Sequence, residues 1–335
     1  MPGHFEELLR WSGASFDLPE LIAAYDTLLT SRLADICAEA DDECIHKALA
    51  LLPSGEREAY LRQPHIATLL LHPGSNTEAA RRIANDLFHR LTDPAAAPHG
   101  YDLRINPRGG ETLTELVPSR FSDFPDDRFG LAATCALSPA EFHRGRAALD
   151  GALCAAAAFS TDLATLIEVV SVTIALRKEP GVPTRFHSST FRQYPGLVRL
   201  TNPHLDGVDT AILTEAIVHE SIHSLLHIHE ALESPFVSTA EGWDVAVTSP
   251  WSGSSILLHS YLHACFVWYG IYWLWHGLTD TGVLPEARRQ TRLRFCLDGF
   301  ARAPVSKRLL NLRAHVRPGL FETLVDMETR MCCIR

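Results

Sequence analysis

Apolar residues in the N-terminal part of the chain recur at the spacing of an amphipathic helix. From Leu18 to Cys37 they follow one another at intervals of three and four, which places them on one side of a helix. A similar rhythm predicts shorter helices over 6–11, 56–62 and 76–91. The beginning of the chain is therefore expected to be helical.

The pattern changes between residues 92 and 130, where turn-forming residues are frequent. Asp93-Pro94, Pro107-Arg108-Gly109-Gly110 and Phe124-Pro125-Asp126 are typical of loops, with short strands between them. We therefore divide the chain into an N-terminal helical region, 1–130, and a metal-binding catalytic region, 131–335, packed as one unit.

Helical and strand patterns alternate after this stretch. Ser138-Pro139-Ala140-Glu141 matches a capping box and predicts a helix to Ala158. A further helix is expected over 161–170, a β-branched run follows at 169–174, and 186–191 with 196–201 reads as a pair of strands. Asp209-Thr210 begins another helix. The predicted fold class is mainly α with a small β element (α+β).

One segment is apolar enough to raise the question of a membrane span. No charged residue occurs from Val245 to Thr279, and Ile256–Trp275 would be long enough to cross a bilayer. Its first half, however, contains His259, Ser260 and His263. We therefore expect a fully buried helix and no membrane association.

Composition narrows the class of protein. The 335 residues are 46% hydrophobic and 21% charged, as in globular proteins and unlike disordered chains. A net charge of −10 argues against nucleic acid as a partner. The basic stretch 288–294, continued by Lys307-Arg308, could form a local anion site, but we favour a solvated helix face. The eight cysteines, without CxxC spacing, suggest buried structural thiols in a reducing compartment. The N-terminus lacks the features of a secretory signal, so we expect a cytoplasmic protein.

The main candidate for chemistry is the HExxH sequence His219-Glu220-Ser221-Ile222-His223, which lies in an apolar predicted helix. Two histidines four residues apart share a helical face, so both imidazoles can bind one metal ion. Packing alone could also account for two buried histidines, but burying Glu220 without a partner would be costly. We therefore predict a metal site.

The third ligand has several candidates downstream. His229 occupies the position of the third histidine in HExxHxxGxxH, but Leu226 replaces the required glycine, and a continuing helix would turn His229 away. Glu241 resembles the downstream glutamate of gluzincin peptidases at a spacing about one residue short.

A second pair of histidines four residues apart, His259 and His263, lies in the apolar segment and could complete a three-histidine site. We favour His259. His227 extends the row on the motif helix by another turn, and we expect it to pack near the ion without binding it.

Four segments together resemble a known family, the HExxH-motif proteins associated with ribosomal peptide natural-product genes. That family is described as 2-oxoglutarate-dependent HExxH-type peptide β-hydroxylases. The segments that carry the resemblance are Glu58-Ala59-Tyr60-Leu61-Arg62-Gln63-Pro64-His65, Tyr194-Pro195-Gly196-Leu197-Val198-Arg199-Leu200, 213–226, and Ser249-Pro250-Trp251 followed by Leu257-Leu258-His259.

The resemblance implies Fe(II) as the metal, with 2-oxoglutarate and oxygen used to hydroxylate the side chain of a peptide or amino acid. His219, His223 and His259 would be the ligands, and Glu220 would act beside them. The family usually has an arginine- and proline-rich stretch after Ser-Pro-Trp, where this chain has 252–256. We expect Arg199, Arg289 or Arg292, or the serines, to bind the distal carboxylate of the co-substrate instead.

Two other functions stay open at this point. A zinc hydrolase would use Glu220 as the general base toward a metal-bound water. A non-catalytic protein that recognises a leader peptide would have a closed site with four ligands. The pattern leaves a homo-oligomer open.

Overall fold

The computed structural model describes residues 6–11, 18–40, 44–52, 56–72, 74–92, 101–108, 111–118, 134–278 and 285–334. The protein is mostly helical with small sheets, which confirms the predicted fold class. The helices are α1 (Leu18–Ala40), α2 (Cys44–Leu49), α3 (Glu56–Leu61), α4 (Pro64–Leu71), α5 (Asn76–Thr92), α6 (Pro139–Phe159), α7 (Thr161–Val170), α8 (Thr210–Leu232), α9 (Leu258–Gly277), α10 (Glu286–Arg302), α11 (Val305–Leu309) and α12 (Leu320–Cys333).

The strands form a larger mixed sheet and a two-stranded hairpin. They are β1 (Tyr101–Arg108), β2 (Glu111–Pro118), β3 (Cys135–Ala136), β4 (Thr173–Lys178), β5 (His187–Thr190), β6 (Leu197–Thr201), β7 (Ala246–Thr248) and β8 (Ser255–Leu257). The larger sheet has the order β2-β1-β4-β6-β5, with β3 also paired to β4, and β7 pairs with β8. Only β4 and β6 run parallel, and both are largely buried, as is usual for parallel strands.

Local sequence patterns predicted most of the helices and strands correctly. The capping box at the start of α6 is present, since the Ser138 side chain accepts from the Glu141 backbone and the Glu141 side chain accepts from Ser138. The antiparallel pairing of β5 with β6 confirms the predicted strand pair. The region 92–130 contains longer strands than we expected, β1 and β2, whereas the predicted turns at 93–100 and 121–127 lie outside the described residues.

The core joins both parts of the chain. One continuous cluster of buried apolar residues includes side chains of α1, α4, α8 and α9. The prediction of uniformly buried cysteines is wrong: Cys37, Cys265 and Cys296 are buried and the other five are exposed. Within the described ranges, no helix combines the length and apolar content needed for a membrane span.

The fold positions two helices against each other, and they carry the candidate chemistry. α8 begins at Asp209, whose side chain accepts a hydrogen bond from the Ile212 backbone at 2.9 Å. A Cβ atom on Gly270 of α9 would lie 2.7 Å from Ile222 Cδ1, so glycine permits a close approach of the helices here. The two helices therefore pack closely against each other at this point.

Candidate metal centre

Histidines from α8 and α9 face one another in a row. The His219 ring lies 5.5 Å from Trp268, the His223 ring 5.4 Å from His263, and the His227 ring 4.8 Å from His263, measured between centroids. As α8 runs from His219 to His227, the partner residues on α9 run from Trp268 back to His263, so the two helices are antiparallel. We call the set the histidine ladder; its members are His219, His223, His227 and Glu230 of α8 and His259 and His263 of α9.

Two ring nitrogens converge in the half of the ladder nearest the HExxH motif. The Nδ1 atoms of His223 and His263 are 3.2 Å apart, and the His219 ring is 5.0 Å from that of His223. Two ligands at right angles on an ion, with bonds of about 2.1 Å, would be separated by about 3.0 Å. The distance is that of a hydrogen bond between the two rings, and it is also close to the spacing of two imidazoles that share one ion.

Glu230 holds the other half of the ladder. His259 Nε2 lies 2.8 Å and His263 Nε2 3.1 Å from Glu230 Oε2, within the range for N–H donors to a carboxylate. The backbone N–H of Phe236 donates to Oε1 at 2.7 Å. Burial raises the pKa of Glu230, but hydrogen bonds from the neighbouring histidines outweigh it, and the net pKa lies below the ordinary value. Glu230 is therefore a buried carboxylate anion.

Three histidines of the ladder, His223, His227 and His263, favour the neutral form. Burial lowers the pKa of His263 to about 3, and it also lowers the pKa of His223 and His227. Like charges on neighbouring histidines add to the effect at His223. A neutral imidazole keeps one lone pair, which is the form that binds a metal ion. The donor set thus fits a divalent transition metal.

The ring of His263 has a defined tautomer if Glu230 is charged. Its Nε2 carries the proton and donates to Glu230, so its Nδ1 presents a lone pair toward His223. A metal-binding histidine whose other nitrogen donates to a carboxylate is a common arrangement, because it orients the ring and raises its basicity. His263 therefore has the surroundings of a ligand.

Glu220 of the motif contacts the sheet. Its Oε1 accepts a hydrogen bond from Ser188 Oγ on β5 at 2.7 Å. Burial raises the pKa of Glu220, while the electrostatic interaction with His219 and the hydrogen bond from Ser188 oppose that change. The side chain is 3% exposed and its carboxylate is anchored by polar partners.

A cavity of about 380 Å³ opens beside the first histidine of the motif. Trp268 and Trp275 form apolar walls, while Arg292 donates from Nε to Glu215 Oε2 at 2.8 Å. Trp275 Nε1 donates to the same carboxylate at 2.6 Å. The polar residues that line the cavity are His187, Ser188, Glu215, His219, Arg288 and Arg292. Its size is that of a small-molecule site.

The predicted ligands His219, His223 and His259 are not gathered at one point. His259 contacts Glu230. Glu230 follows His219 by eleven residues on α8, which is about 16 Å along the helix axis. The residue opposite His223 is His263, which we had placed second. Binding of His259 to the same ion as His219 and His223 stays a prediction. The contacts favour His263 as the third ligand.

The other downstream candidates have different surroundings. His229 accepts a hydrogen bond from Arg317 at Nε2 over 2.7 Å, so it faces away from the ladder as helical periodicity predicts. Glu241 is exposed in a 3₁₀ turn, Glu241–Asp244. Glu230 was missed, although it continues the face of His219, His223 and His227 at helical spacing.

The three predicted arginines occupy separate places. Arg292 lines the cavity with His219. Arg289 donates to Glu286 and to the Trp275 carbonyl oxygen and is 8% exposed, which corrects our expectation of a solvated basic face. Arg199 donates to Ser189 Oγ at 3.1 Å. Ser189 lies on β5, the strand whose Ser188 donates to Glu220. Only Arg292 is therefore placed to meet a ligand beside His219.

No protein-family model and no curated protein matches the chain. The donor atoms, their spacing and the adjoining cavity carry the functional argument.

Proposed function

We propose that the protein is an iron-dependent oxygenase that hydroxylates a side chain of a peptide or amino acid, with 2-oxoglutarate as co-substrate. The observation that carries the proposal is the convergence of His223 Nδ1 and His263 Nδ1, 3.2 Å apart, beside a cavity that His219 lines. The sequence resemblance described above supplies the reaction class.

His219, His223 and His263 would hold the metal, and His263 takes the place first given to His259. Three protein ligands leave positions open for other molecules, which is the requirement for catalysis at iron. Bound Fe(II) would supply oxidation of a C–H bond, with one oxygen atom of O₂ entering the product and the other entering succinate as 2-oxoglutarate loses CO₂.

The chain's own residues would position the reactants. Glu230 orients His263 through its Nε2–H. Arg292, which now pairs with Glu215, can pair with a carboxylate of the co-substrate, and the guanidinium of Arg288 lines the same cavity. Trp268 and Trp275 would exclude water from the cavity.

Turnover by anaerobically purified, Fe(II)-loaded protein tests the reaction. With oxygen, 2-oxoglutarate and a peptide or amino-acid library, we expect a product heavier by one oxygen atom and succinate released in equal amount. His219→Ala and His263→Ala should abolish both products because each removes a proposed ligand. His276→Gln, at an exposed position of α9, is the control and should retain them.

Two results would contradict the assignment. Oxidation that is indifferent to 2-oxoglutarate would exclude this co-substrate. Substrate cleavage by the zinc-loaded protein without oxygen would favour a hydrolase in which Glu220 acts as the base.

A further inference from the structure

The half of the ladder farther from the cavity contains a second group of metal-binding atoms. One donor atom from each of four residues, His227, Glu230, His259 and His263, lies within 4.8 Å of the others. Glu230 Oε2 is 2.8 Å from His259 Nε2 and 3.7 Å from His227 Nδ1. Ligands of a tetrahedral zinc ion with bonds of 2.0–2.1 Å are separated by about 3.3 Å, within this range.

One nitrogen in this group has no hydrogen-bond partner. His227 Nδ1 is buried, and its distance to Glu230 exceeds that of a hydrogen bond. A buried polar atom left unsatisfied destabilises the fold, so buried polar atoms generally have a partner or bind an ion. His227 Nδ1 faces the carboxylate across a gap that a cation would bridge.

We infer that His227, Glu230 and His259 form a second divalent-cation site, separate from the ion proposed at His219, His223 and His263. The two sites do not compete for a ring nitrogen, because His263 offers Nδ1 to the first and donates from Nε2 to Glu230 of the second. The hydrogen bond from His263 to Glu230 links the two sites.

Aromatic and basic side chains flank this second site, which lies away from the described cavity. The His259 ring is stacked on Trp243, 4.8 Å between centroids, and the Arg192 guanidinium lies 4.4 Å from the Trp243 ring centre. The described cavity opens at His219, at the other end of the ladder. Two imidazoles and a carboxylate suit zinc or a similar divalent metal. An ion here would hold the end of α8 against the start of α9.

Zn²⁺ titration of the metal-free, full-length protein tests the inference. Calorimetry and elemental analysis after removal of free metal should count two ions per chain. His227→Gln should lose one of the two equivalents, and His219→Ala should lose the other. His276→Gln, an exposed histidine change on α9, should keep both. Circular dichroism checks that each variant is folded. If His227→Gln does not fold, His259→Gln serves, because that side chain is only partly buried, at 12% exposure.

The outcomes separate this site from the proposed catalytic one. One ion in the wild type, lost in His219→Ala but kept in His227→Gln, would overturn the second site and leave the proposed function standing. One ion lost in His227→Gln but kept in His219→Ala would support the second site and remove the first. Two ions kept in both His227→Gln and Glu230→Gln would overturn the inference.

Discussion

At the scale of single residues, Glu230 governs the chemistry of the ladder. Its carboxylate lies within hydrogen-bond distance of imidazole nitrogens of His259 and His263 and accepts from the backbone N–H of Phe236. An anion at this place selects which ring nitrogens carry protons and which keep lone pairs. The tautomers of His259 and His263 thus depend on one residue outside the HExxH motif.

Glu230→Gln should weaken Fe(II) binding at His219, His223 and His263 by about 10–100-fold, the usual effect of losing a residue that orients a ligand. Anaerobic competition with a chelating dye would measure the affinity. Glu233→Gln, an exposed change near the end of the same helix, is the matched control and should leave the affinity unchanged. Equal affinities for wild type and Glu230→Gln would contradict the role.

Gly299 illustrates a packing constraint at a single position. A Cβ atom there would lie 1.9 Å from Trp251 Nε1, whose N–H donates to the Cys296 carbonyl oxygen. Gly299→Ala should therefore lower the free energy of unfolding by about 1–3 kcal/mol through overpacking. Gly74→Ala, where no atom lies within 4 Å of the added carbon, should be near neutral. Urea denaturation of both variants checks the difference.

At the scale of elements, the start of α6 shows how a cap couples a helix to the sheet. Glu141 closes the capping box with Ser138 and also accepts hydrogen bonds from Lys178 Nζ of β4, at 2.8 and 3.1 Å. These bonds favour the charged carboxylate. They lower the pKa of Glu141 to about 2, with the bond from Lys178 as the largest cause.

The stabilisation from Glu141 should depend on pH in a defined direction. Because the folded pKa is lower than the ordinary value of 4.5, the contribution is present above about pH 4.5 and is lost as the pH falls toward about 2. Glu141→Gln should make unfolding less dependent on pH in this window. Chemical denaturation at several pH values measures the slope, and an unchanged slope would contradict the coupling. Since the side chain is partly exposed, we expect a modest effect.

At the scale of the whole molecule, the N-terminal segment 6–11 packs onto the helix that carries the second histidine pair. Trp11 Nε1 donates to the Gly270 carbonyl oxygen at 3.0 Å, and the Tyr269 hydroxyl donates to Glu6 at 3.2 Å. Glu6 also pairs with Arg330 of α12. The two ends of the described chain therefore meet over α9.

Trp11→Ala should cost about 3–5 kcal/mol, because it leaves a large cavity and removes a buried hydrogen bond. Since Trp11 belongs to the larger buried cluster, which includes side chains of α1, α4, α8 and α9, the loss should appear in the whole molecule. Circular dichroism and tryptophan fluorescence should report coincident, shifted unfolding transitions. Separate transitions in the two signals would show that the segment and the helices unfold independently.

Local sequence determined most of the helices and strands and indicated which histidines are candidate metal ligands. Helical periodicity, the Ser138 capping box, the β5–β6 strand pair and the spacing of His219 and His223 could all be read along the chain, because each depends on residues close in sequence. Tertiary structure decided which side chains meet. Periodicity assigns a residue to a helix face but not to a partner on another helix. The close approach of α8 and α9 at Gly270 and Ile222 is a tertiary contact of this kind. The packing of whole helices, and not the local pattern, determines how α8 and α9 are shifted relative to each other. That alignment places His263 opposite His223 and His259 next to Glu230, and it leaves the cavity at His219.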